Sequence, residues 1–103
     1  MLGGENREEL IERAIREKKL VHFDYHGFNR IAEPHVYGIT NRIKQFLGYQ
    51  VDGGSSRGGI PDWRRFDLHE IKNLQVLEKT FPGKRPFPSG KHSHWGYQIA
   101  VVE

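Results

Sequence analysis

Three features of the chain predict a mainly β (α+β) fold. A helix-periodic stretch lies near the N-terminus, several short segments of period-two hydrophobicity follow it, and turn-forming residues punctuate those segments at regular intervals. Together they read as one helix followed by a five-stranded SH3-like or Sm-like antiparallel barrel, with a C-terminal extension. At 103 residues the chain is one small domain, able to bury about two-thirds of its unfolded surface.

The helix is placed at residues 7 to 18. Asn6 followed by Glu9 has the spacing of a capping box, and Leu10, Ile11, Ala14 and Ile15 recur at helical intervals. Glu8, Glu9 and Glu12 lie early and Arg16, Lys18 and Lys19 late, as the helix dipole favours. From Leu20 the period changes to two, with Val21, Phe23 and Tyr25 on one strand face and His22 and Asp24 on the other. His26 to Asn29 forms a hairpin turn, and an extended segment from Arg30 to Tyr37 contains Pro34, which requires an edge or a bulge.

Gly38 to Asn41 gives a second turn. In the third strand Ile43, Leu47, Tyr49 and Val51 alternate with Lys44, Phe46 and Gln50, which places Phe46 outside the barrel. A Gly/Ser-rich loop from Asp52 to Pro61, expected to be mobile, precedes the strand Trp63 to Leu68. His69 to Ile71 is a one-turn connector, and Asn73 to Glu78 completes the barrel at residues 20 to 78. Residues 1–81 thus form the principal unit. Residues 82–103 form a Pro/Gly/Lys-rich extension that ends in Trp95 to Val102, a strand able to pair with an exposed edge.

Composition narrows the function classes. The chain has no cysteine, so thiolate metal sites and disulfides are excluded, and no apolar run approaches the roughly 20 residues that span a bilayer. The reading is a cytoplasmic protein with no membrane partner. A net charge of +3 permits an anionic partner without demanding one. No Ser/His/Asp or paired-carboxylate pattern emerges from Asp24, Glu33, Asp62, Asp67 and Glu70, which fall mostly at solvent-facing positions. Gly53 to Gly59 matches a phosphate loop in composition alone, lacking the Lys-Ser/Thr ending and the following helix. The sequence therefore predicts no enzyme, no cofactor and no metal. His92 and His94 form a lone His-x-His, and His22, His26, His35 and His69 are scattered without ligand spacing.

The order of V-H-F-D-Y (21–25), R-I-A-E-P (30–34), Q-F-L-G-Y-Q (45–50) and W-R-R-F-D-L-H-E-I (63–71) resembles the layout of a WYL domain. In that family a Tyr-ended strand is followed by an Arg-x-x-x-Pro segment, an aromatic-Leu strand and an Arg-aromatic strand. The resemblance covers about the first four-fifths of the chain, and the name-giving tripeptide falls on Gln45, Phe46 and Leu47. It implies an Sm-like barrel that senses nucleic acid or nucleotide-like ligands in transcriptional or defence regulation. By that resemblance Tyr25 matches the first-strand Tyr, Arg30 the Arg before Pro, Phe46 the motif Tyr, and Arg65 the Arg before the aromatic residue. With Lys44 and Arg64 these residues compose the expected ligand surface, in which guanidinium forks grip phosphate and a ring stacks on a base, single strands being favoured.

The family's further basic residues are replaced here by Asp67 and Glu70. That replacement, with the apolar terminal strand, motivates the alternative of a protein-interaction or homo-oligomerisation module.

Overall fold

The computed structural model describes residues 6–55, 59–85 and 95–103, which form one helix, six strands and a 3₁₀ turn. Helix α1 spans Arg7–Glu17. Asn6 and Glu9 complete the capping box reciprocally, and Lys18 ends the helix in the left-handed conformation (φ 55°). Its apolar stripe, Ile11, Ala14 and Ile15, is buried against the sheet.

Strands β1 (Lys19–Tyr25) and β2 (Phe28–Thr40) form a hairpin around His26 and Gly27, whose positive φ angles (51° and 81°) suit the twist of a two-residue loop. Strand β3 (Ile43–Gly53) follows a second turn of the same kind at Asn41 and Arg42. Both turns are tighter than the sequence implied, because Phe28 and residues 38–40 already belong to β2. Strand β4 (Asp62–Asp67) pairs with β3, the 3₁₀ turn Leu68–Glu70 follows, and β5 (Lys72–Thr80) returns to β1.

The terminal strand β6 (Tyr97–Val101) pairs with the second half of β2, in the same sheet. Gly38 makes this possible, since a Cβ there would press on the Tyr97 carbonyl and lie 2.8 Å from the Trp95 ring. The sheet has six strands rather than five. Its path β4-β3-β2-β1-β5 is open at both ends among the described residues, so the pairings trace no closed barrel.

The ladder irregularities in β2, including the expected one at Pro34, bend this 13-residue strand so that its first half serves β1 and its second half β6. The core face of the sheet carries Val21, Phe23, Ala32, Tyr37, Phe46 and Phe66 beneath α1. Phe23, Phe46 and Phe66 meet there edge-on or tilted, with centroids 4.9–5.6 Å apart. The middle of the Asp52–Pro61 loop (residues 56–58) lies outside the described residues, as do His92 and His94.

Candidate anion-binding site

Strand alternation carries Arg30 and Arg64 to the core side of the sheet. Arg30 pairs in register with Phe23, and Arg64 lies opposite Gly48. Arg30 is only 5% exposed. Its Nε and Nη2 donate to the Tyr25 carbonyl at 3.3 and 3.0 Å, and Nη1 donates to Gln50 Oε1 at 3.4 Å. The rings of Tyr25, Phe28 and Phe66 surround its guanidinium at 5.2–5.6 Å. Gln50, fully buried, is aimed by two donations from its amide nitrogen, to the Asp52 and Gly54 carbonyls at 3.1 Å each.

All of these acceptors are neutral, and among the described residues no carboxylate pairs with Arg30. Burial pushes its pKa down, and the neighbouring Arg64 charge pushes the same way. Arg30 is thus held near a second cation, Arg64, and against a partly exposed aromatic ring, Phe28, beside which Gly54 fits because it has no side chain. Such an arrangement raises the local positive potential and suits an anion with an aromatic or planar portion.

The other expected site residues are dispersed. Phe46 is fully buried in the core rather than outside it, because β3 is covered on both faces at its centre and Leu47 is buried as well. A stacking role for Phe46 is therefore excluded, and Phe28 is the exposed ring that flanks Arg30. Tyr25 is a core residue whose hydroxyl accepts from the Asp67 N–H at 3.0 Å; burial, first among several influences, raises its pKa. Lys44 sits six residues before Gln50 on β3, which is ~20 Å of strand, and its Nζ pairs with Glu8 at 3.1 Å. Arg65 lies on the opposite face, where its guanidinium stacks over Trp95 at 3.9 Å and bonds Thr40 and Gln45.

That opposite face carries a polar cluster absent from the sequence reading. Glu33 is 4% exposed, not solvent-facing, and receives both prongs of Arg85 at 2.7 and 2.8 Å. His35 Nε2 lies 3.1 Å from Glu33 Oε1, and its ring packs against Trp63 and Phe81. Burial pushes the Glu33 carboxyl up, but the Arg85 and His35 hydrogen bonds outweigh it and hold it below its ordinary value. Burial lowers the His35 imidazole, partly opposed by Glu33. The only sequence signal for this cluster is Glu-x-His on a strand interrupted by Pro34; the partner Arg85 lies 52 residues away.

The histidines scattered along the sequence are partly gathered by the fold. Ligand atoms of Asp67, His69 and Glu70 lie within 4.8 Å of one another, and His26 Nε2 is 2.6 Å from Glu70 Oε1. No helix among the described residues is long and apolar enough to cross a membrane. Comparison of the chain with protein-family models, with curated proteins and with solved structures finds no match.

Proposed function

We propose that the protein is a non-enzymatic sensing domain that binds a nucleotide-like anion or a single-stranded nucleic acid in the cytoplasm, as the WYL resemblance implies for a regulator of transcription or defence. The observation that carries this reading is the buried Arg30 beside Arg64, with no carboxylate pairing with it among the described residues. In this reading Arg64, half-buried, contacts the phosphate, Arg30 supplies charge beneath it, and Phe28 offers the stacking face.

The test is fluorescence anisotropy of the chain against single-stranded DNA, single-stranded RNA and duplex DNA across a salt series. Arg64→Ala is expected to weaken single-strand binding and reduce its salt slope, whereas Arg65→Ala, on the other face, and Lys79→Ala change little. Equal losses from all three variants would reduce the effect to bulk charge and end the assignment of the site.

A second reading, an interaction or self-association module, draws on β6. This strand exposes Tyr97, Ile99 and Val101 (66%, 37% and 43%) and pairs only with β2 among the described residues. Concentration-dependent mass in sedimentation that disappears in Tyr97→Glu, with no nucleic-acid binding, would favour this reading over the first.

A further inference from the structure

We infer that Asp67, His69 and Glu70, supported by His26, form a binding site for a divalent first-row transition metal ion. The 3₁₀ turn at Leu68–Glu70 has about three residues per turn, so Asp67 and Glu70, three apart, fall in line, with His69 beside them. Their ligand atoms lie within 4.8 Å of one another. Zinc–nitrogen and zinc–oxygen bonds near 2.1 Å require tetrahedral donors roughly 3.4 Å apart. The exposed His69 ring and the Glu70 side chain thus need to move inward by only about an ångström on binding.

The backbone beneath the donors is fixed. Leu68 and Ile71 are 3% and 1% exposed and anchor the turn in the core. The Leu68 carbonyl accepts from Arg7 Nη1 at 2.7 Å and from the Ile71 N–H at 3.1 Å. The Asp67 N–H donates to the Tyr25 hydroxyl, and Gln45 Nε2 donates to Asp67 Oδ1 at 2.6 Å. His26 stacks on Tyr25 at 4.1 Å and bonds Glu70, the kind of outer contact that orients a ligating carboxylate. The site opens onto a cleft of about 700 Å³ that Tyr25, His26, His69, Glu70 and Lys72 help to line.

The donor set selects the class of ion. Two carboxylates held this close repel each other, and a dication turns that repulsion into ligation. An imidazole in the set favours zinc and its first-row neighbours over calcium or magnesium, which prefer oxygen alone. The inference is independent of the anion-binding proposal, which uses different side chains.

The test is isothermal titration of the full, untagged chain with zinc chloride in a non-chelating buffer, alongside visible absorption with cobalt(II). A single equivalent is expected to bind, with a cobalt ligand-field band that His69→Ala abolishes. His69→Ala and Glu70→Gln should each weaken zinc at least ~10-fold, and His26→Ala about 10-fold, as outer-sphere losses do. His92→Ala/His94→Ala should leave affinity unchanged. Thermal unfolding in metal-free buffer verifies that each variant is folded, and Asp67→Asn, which keeps an acceptor for Gln45, replaces any that is not. Failure of the native chain to bind zinc, binding that survives His69→Ala and Glu70→Gln, or binding lost in the His92/His94 double variant would overturn the inference.

Discussion

Arg30 and Glu33 are three residues apart on β2, on opposite faces of the sheet, and both are about 95% buried. Glu33 is met by an oppositely charged fork, the Arg85 guanidinium, and by His35. Arg30 is met by a carbonyl, an amide oxygen and three aromatic rings. A buried charge answered by a full counter-charge is internally complete and serves the fold. One answered by neutral acceptors keeps its field, and an external anion can complete it. The same strand therefore carries one charge answered by a counter-charge and one answered by neutral acceptors, distinguished only by what lies across from each.

The contrast is sharpest under substitution. Glu33→Ala should have the largest effect on stability, about 2 kcal/mol, because His35 and part of Arg85 lose their partner in a buried setting; urea denaturation measures it. Arg30→Met, which keeps the apolar stem, should change stability by less than about 1 kcal/mol yet weaken anion binding roughly tenfold. If Arg30→Met unfolds the chain as readily as Glu33→Ala, the distinction between the two charges collapses.

Acid exposes the structural side of the comparison. His35 and Glu33 both have lowered folded-state values, so the unfolded chain binds more protons as pH falls, and both groups lose stability in the same direction. Unfolding free energy should decline from about pH 6.5 downward through His35, and again below about pH 4.3 through Glu33. His35→Gln should flatten the upper part of that decline in a pH series of chemical denaturation.

Smaller effects test the binding side. Phe28→Ala should weaken a nucleotide by about 1 kcal/mol while leaving inorganic phosphate binding unchanged, if its ring stacks on a base; competition titration separates the two ligands. Lys44→Ala removes only an exposed pair with Glu8 and should leave both the denaturation midpoint and ligand affinity essentially unchanged.

The parts legible in the sequence are those governed by near neighbours. The capping box at Asn6 and Glu9, the inward face of β1 and the irregularity at Pro34 each depend on residues within a few positions. The short turn after β4 and a pairing-competent terminal strand were legible for the same reason. Alternation misled at β3 because it assumes one wet face. The central part of β3 is buried on both sides, so Phe46 and Leu47 are both inside and the polar–apolar rhythm says nothing about direction.

The sequence by itself determined the succession of one helix and short strands, the absence of thiol chemistry and a modest positive charge. Only the tertiary structure decided that Arg64 joins Arg30 while Arg65 turns to Trp95 on the other face. It alone brought Arg85 to Glu33 and set His26 against Glu70. The physical reason is that local propensity and periodicity act over a turn or a strand, whereas burial and charge compensation depend on which distant segment covers each face.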